Sequence, residues 1–216
     1  MKFKNEKKYN DYVIKKGKFI GNFDEMYKKI SDPWLLLKKN KKLENINYKI
    51  IYHFCDYIKN KNLNKNKIIT LEIGCGYPQI SNRLHALGYE SYATDISKTI
   101  ISKSKKKYPK IKKNLFVSKF LNFELYDKLN PDVFILSDVS WYILPELKDF
   151  LKYFKSKKNR YLIHSLAIYN KNKQKYGREY FYDLESIKKY FKLNYIYSGY
   201  MNYQNNNLHS YFLGKV

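Results

Sequence analysis

Apolar residues in this chain recur in two rhythms. Short runs rich in isoleucine, valine and tyrosine alternate with longer stretches in which apolar positions return at helical spacing. Ahead of residue 66 the rhythm is helical: between Leu43 and Ile58, the side chains of Ile46, Ile50, Ile51, Phe54 and Ile58 fall on one face. A polar linker, Asn60 to Lys67, leads into a first strand, Ile68 to Ile73. Further strands are expected at Ser91 to Thr94, Leu115 to Val117, Val133 to Ser137, Tyr161 to His164, Tyr195 to Gly199 and Leu208 to Gly214. Helices are expected at Gln79 to Leu87, Ser97 to Lys107, Pro145 to Phe154 and Asp183 to Phe191. Strands that alternate with helices in this way predict an α/β domain on a largely parallel sheet. Residues 1–65 read as an N-terminal helical cap or lid and 66–216 as the sheet domain.

Candidate chemistry gathers where the first two strands end. Leu71-Glu72-Ile73-Gly74-Cys75-Gly76-Tyr77-Pro78 reads as strand, glycine turn and helix start. Glycines there let a ligand approach the backbone closely, because no Cβ stands in the way. The second strand runs into Asp95, whose carboxylate offers acceptors to a vicinal diol such as a ribose. Position 79 is glutamine, so the G-x-G-x-x-G spacing that seats a pyrophosphate is absent and a nicotinamide cofactor is disfavoured.

Glu72-x-Gly74-x-Gly76, with Asp95 nineteen residues past Gly76, resembles the first two motifs of class I S-adenosylmethionine-dependent methyltransferases of small-molecule type. The resemblance implies a Rossmann-like sheet of seven strands, mostly parallel, with helices on both faces and an antiparallel last strand. It implies S-adenosylmethionine as cofactor and S-adenosylhomocysteine as product. Gly74 and Gly76, with Glu72 and Cys75 of the same turn, would lie against the methionine part, and Asp95, with Ile96 beside it, would take the ribose. Ser137 and Asp138 would line the cofactor from strand four, and Trp141 and Tyr142 would shape the acceptor pocket, or else cap the core under the next helix. Two positions depart from the family. Pro78 stands where a third glycine is usual, and Ser118-Lys119-Phe120 lacks the acidic residue that often meets adenine. Ser31-Asp32-Pro33-Trp34 resembles a lid element of one methyltransferase subset, by which Trp34 and Tyr48 would cover the cofactor; a turn packing the first helix onto the domain is the alternative.

His164 is placed at the end of strand five, facing the cleft, either as the base that takes a proton from the acceptor or as a hydrogen-bonded strand-end histidine. Asp138 is the second candidate base, whereas His53, His85 and His209 carry no further signal. The polar, aromatic stretch from Tyr169 to Phe181 is too long for a tight connection and reads as a substrate lid or a solvated loop. Within it Tyr176, Lys175 and Arg178 are candidate acceptor contacts, the last two for a phosphate.

Composition narrows the function classes. A chain of 216 residues with 44% hydrophobic residues can bury one good core. No apolar run is long enough to span a bilayer and no secretion signal is visible. Cys55 and Cys75 are isolated, so a reduced, cytoplasmic setting is expected, and no metal-ligand spacing occurs. The net charge of +24 is carried almost wholly by scattered lysines, whereas specific nucleic-acid readers favour arginine. The Asn/Asp-Pro-Pro-aromatic motif that clamps a flipped base is also missing from Asp138 to Tyr142. Nucleic acid is therefore a disfavoured partner. The expected acceptor is a small, anionic molecule, and the expected assembly a monomer or homodimer. The compact domain and its composition resemble methyltransferases of bacterial surface-polysaccharide clusters, including those proposed to make O-methyl phosphoramidates. The rival readings are a tRNA or rRNA methyltransferase and a non-catalytic protein that binds the same cofactor.

Overall fold

The computed structural model describes residues 9–37, 46–62, 64–169, 174–203 and 207–216. The start of the helix expected from Leu43 and the loop positions 170–173 lie outside them. After a 3-10 turn, β1 (Ile14–Lys15) and β2 (Lys18–Phe19) form a small antiparallel hairpin, followed by α1 (Phe23–Lys29) and α2 (Ile46–Lys61). The sheet domain then runs β3 (Ile69–Ile73), α3 (Gln79–Ala86), β4 (Glu90–Asp95), α4 (Lys98–Lys107), β5 (Leu115–Val117), α5 (Phe123–Leu129) and β6 (Val133–Ser137). It closes with α6 (Leu147–Lys155), β7 (Tyr161–Ile168), α7 (Leu184–Phe191), β8 (Asn194–Tyr203) and β9 (Asn207–Lys215).

The seven strands stand in the order β5-β4-β3-β6-β7-β9-β8. β9 pairs antiparallel with both β7 and β8, and the other pairings are parallel. This is the expected Rossmann-like sheet with an antiparallel last strand. Side chains of a strand alternate between faces, and the core divides accordingly. Phe134 and Leu136 of β6 pack with Phe150 and Phe154 of α6 and Phe191 of α7, while Val133 and Ile135 pack with Ile51, Cys55 and Ile58 of α2 and with Leu84 of α3. The helix α2 is thus a layer of the sheet domain, although it falls within the region read as a cap.

Three features differ from expectation. The hairpin β1–β2 stands in a region read as helical; its loop residues Lys16 and Gly17 both take positive φ, 50° and 77°, as the tight mirror-image hairpin turn requires. Helix α5 was not expected, being too short to show a period, but it is capped at both ends. The Asn122 side chain accepts the Leu125 amide, and Asn130 ends the helix in the left-handed conformation. Finally, β7 continues past His164 to Ile168, which moves the mouth of the sheet beyond that histidine.

Candidate active site

Ligands of open α/β sheets bind beyond the carboxyl ends of the parallel strands. There the structure has a cavity of about 750 Å³. Its floor is the β3–α3 turn. Gly74 and Gly76 both have positive φ, which glycine adopts without strain. A Cβ on Gly74 would stand 2.3 Å from Cγ2 of Val139, and one on Gly76 would stand 2.9 Å from the Tyr27 hydroxyl. The turn is therefore clamped between the segment after β6 and helix α1. Pro78 occupies the position just before α3 and leaves the helix intact.

Asp95 ends β4. Its Oδ2 accepts the Gly76 amide at 2.9 Å and its Oδ1 the Ser97 amide at 2.9 Å. Burial pushes its carboxyl up to about 6, against the pull of those two amides. Glu72 of β3 is held by Ser81 of α3, which donates to Oε2 through its amide at 3.0 Å and its hydroxyl at 2.5 Å. Burial raises that carboxyl to about 7, again opposed by its hydrogen bonds. Cys75, Ile96, Ser118, Lys119, Phe120 and Ser137 also line the cavity, with Ile96 57% exposed beside Asp95.

Much of the remaining wall is aromatic. Trp34, Tyr142, Tyr169 and Trp141 line it, joined by Tyr48 from α2 and by Tyr9, Phe19 and Phe23 ahead of the sheet domain. Trp34 donates its indole N–H to the Tyr27 hydroxyl at 3.0 Å and lies against Tyr142, with ring centroids 5.9 Å apart. Asp32 fixes this turn by accepting the Leu36 and Leu37 amides. Trp141 donates to the Ala167 carbonyl at 2.9 Å and packs on Phe181, so it serves the core and the wall together.

Asp138, directly after β6 in the cavity wall, has φ of 55°, a left-handed conformation that aspartate tolerates better than most residues. Protein surrounds its carboxylate, yet the side chain keeps 47% of its surface, which opens onto the cavity. Burial raises its carboxyl, while nearby His209 and the Ala167 amide hold it down.

His164 does not face the cleft. It is fully buried, stacked on Phe212 and packed against Phe191, with Nε2 at 2.9 Å from the Ser140 hydroxyl. Burial drives its imidazole down to about 3. The reason is strand parity. His164 shares the face of Leu162 and Leu166, which is covered by α7. The histidine that does line the cavity is His209, near the start of β9. Since β9 runs antiparallel, its first residues lie at the carboxyl ends of the other strands, a placement that its order in the chain could have signalled. Lys175, Tyr176 and Arg178 all stand outside the cavity lining; Lys175 and Arg178 are exposed, and Tyr176 stacks on Phe19, a lining residue, 6.1 Å between centroids. Among the described residues, the charged wall groups are Glu72, Asp95, Asp138 and Glu146 against Lys119. No group of described residues could hold a metal ion, and no described helix is long and apolar enough to cross a membrane.

Residues 71–156 match the methyltransferase domain family. Solved structures agree with the fold. Magnesium protoporphyrin IX methyltransferase from Synechocystis PCC 6803 with bound S-adenosylmethionine is 15% identical, with a TM-score of 0.60, over 90% of this chain and 95% of that one. The bifunctional kinase-methyltransferase WbdD is 14% identical, with a TM-score of 0.62, over 95% of this chain and 44% of its own. An S-adenosylmethionine-dependent methyltransferase from Clostridium acetobutylicum ATCC 824 is 18% identical, with a TM-score of 0.55, over 90% and 97%. No curated protein matches the sequence. The segment carrying much of the crevice is thus similar to a methyltransferase domain, and the cofactor that goes with such a domain is S-adenosylmethionine. The glycine turn, the buried acceptor at Asp95 and the size of the cavity fit that molecule.

Proposed function

We propose that this chain transfers the methyl group of S-adenosylmethionine to a small molecule bound in the aromatic part of the cavity. The observation that carries the reading is that a single cavity is lined by the Gly74–Gly76 turn and Asp95 together with Asp138, Trp141 and Tyr142. When bound, the cofactor supplies an electrophilic methyl group on a sulfonium. The chain's own residues would do the rest. Asp95 would hold the ribose hydroxyls, Ile96 and the Ser118–Phe120 backbone the base, and the glycine turn the methionine end. Trp34 and Tyr142 would close over the site and exclude water, which favours transfer from a charged sulfonium to a less polar acceptor. Binding both partners side by side makes alignment the main source of rate.

The structure supports a small acceptor over a nucleic acid, since the N-terminal residues Tyr9, Phe19 and Trp34 wall the cavity. An anionic acceptor would meet Lys119 as the lone lysine or arginine among the described wall residues, facing four carboxylates. The reading adopted is therefore a hydroxyl or amine on a neutral or weakly charged small molecule, with a sugar of surface-polysaccharide assembly as one such class. Incubating the protein with methyl-labelled cofactor and a fractionated small-molecule extract, followed by mass spectrometry, tests it. One small compound should gain a methyl group. Label found in RNA alone, or cofactor binding with no label transferred, would overturn the reading.

A further inference from the structure

Two polar residues of the cavity wall, Asp138 and His209, meet across the sheet. His209 comes from the last strand and Asp138 from the middle of the sheet domain's sequence, yet His209 Nε2 lies 3.4 Å from Asp138 Oδ1 and 2.8 Å from the Ser165 hydroxyl. On the far side of the ring, Nδ1 lies 3.3 Å from Nδ2 of Asn47. The Tyr211 hydroxyl lies against Oδ1 of the same amide. So placed, the Asn47 amide nitrogen donates to Nδ1, and Nε2, which faces the acceptor-only carboxylate of Asp138, carries the ring proton. A neutral His209 so oriented donates toward Ser165 and Asp138.

Asp138 is held from a second side. Its own amide donates to the Ser165 carbonyl at 2.8 Å, and Oδ1 accepts the Ala167 amide at 3.0 Å. Ala167 and His209 are directly paired across β7 and β9, so one rung of the antiparallel ladder delivers both groups to the same oxygen. Among the described residues Oδ2 has no partner, and the side chain opens onto the cavity.

We infer that Asp138 Oδ2 receives the proton of the acceptor, and that His209 is the positioning residue that holds this carboxylate in place. The inference rests on the methyl-transfer reading. As the acceptor heteroatom forms its bond to the methyl carbon, the carbon–sulfur pair stays on sulfur as a neutral thioether. The acceptor's O–H or N–H proton passes to Oδ2, and the electron pair of that bond remains on the heteroatom. The imidazole keeps its own proton throughout. Tyr48, Tyr142 and Tyr169 also sense the Asp138 charge, and His209 has His164 nearby and Tyr211 stacked on its ring.

The test is nitrogen NMR of the histidine-labelled full chain with S-adenosylhomocysteine bound. His209 should be neutral near pH 7 with its proton on Nε2. Asp138→Asn keeps a residue that tolerates positive φ, and it should lower the His209 titration midpoint by about one unit. With the acceptor found by the labelled-cofactor screen, Asp138→Asn should lower kcat at least about a hundredfold with KM little changed. His209→Phe should lower kcat and shift the acid limb of the pH profile, and His209→Gln, which retains an N–H donor, should recover part of the loss. A proton on Nδ1, or a His209 midpoint indifferent to Asp138→Asn, would overturn the inference while leaving the methyl-transfer reading intact. Wild-type protein that does not bind S-adenosylhomocysteine would instead sink that reading.

Discussion

Asp95 Oδ2 accepts the Gly76 amide at 2.9 Å, so the end of β4 and the turn after β3 form one hydrogen-bonded unit. A carboxylate that ends a strand and a turn built of glycines have no local reason to meet. Parallel pairing of β3 with β4 brings their carboxyl ends level, and the buried carboxylate then takes up an amide that would otherwise lack a partner.

Replacing Asp95 with alanine should weaken S-adenosylhomocysteine binding by about 1.5–3 kcal/mol, the range for a hydrogen bond to a charged group. In the wild type, affinity should also fall as pH drops below about 6, where the buried carboxyl gains its proton and stops accepting from a diol. Calorimetric titration between pH 5 and pH 8, on the order of the full titration width, reads both effects. Affinity flat across that span would argue that Asp95 does not hold the ribose.

Gly74→Ala should disrupt the site from both sides of its backbone. The left-handed φ alone costs roughly 1–2 kcal/mol for a residue with a Cβ. The methyl group would also stand 2.3 Å from Val139 Cγ2, next to Asp138. Adding Val139→Ala should restore part of the stability and not all of it, since only the collision is removed. Melting temperatures of the two single variants and the double variant measure this, and an additive result would remove the clash from the explanation.

His164 sets an acid limit on stability. Its imidazole is held near 3 in the fold, against an ordinary value of 6.5. Between those values the unfolded chain binds an extra proton, so stability is full above about 6.5 and is lost as pH falls. Glu72 and Asp95 act in the opposite sense. Raised to about 7 and about 6, they keep protons in the fold, and the stability they add at low pH is lost as pH rises through those values. His164→Leu should therefore gain on the wild type in urea denaturation as pH is lowered from about 6.5. A constant difference between the two proteins over that window would contradict the burial assigned to His164.

Tyr27→Phe removes the hydrogen-bond acceptor of the Trp34 indole and the hydroxyl that packs on Gly76. Trp34 is half-buried, so water can partly replace the lost partner and the stability cost should sit near the low end of about 1–3 kcal/mol. The release rate of S-adenosylhomocysteine, followed by tryptophan fluorescence, should rise. An unchanged rate would mean that the Trp34 turn does not cover the cofactor.

Much of this molecule is legible in its residues taken in order. Glycines at 74 and 76, a carboxylate at 95 and the alternation of strand and helix rest on local rules: backbone φ, side-chain period and chain spacing. The Lys16-Gly17 turn and the asparagine caps of α5 were also written there, but elements so short leave no period to read. The choice between His164 and His209 was not written there. It depends on how far β7 extends, on which face each strand position takes and on the reversed direction of β9, and all three follow from pairing between segments far apart in sequence. The sequence thus determined the parallel half of the sheet and the crevice at its first two strands. Only the tertiary structure decided which imidazole meets the carboxylate of Asp138, because a side chain's distant neighbours follow from strand register and not from its place in the chain.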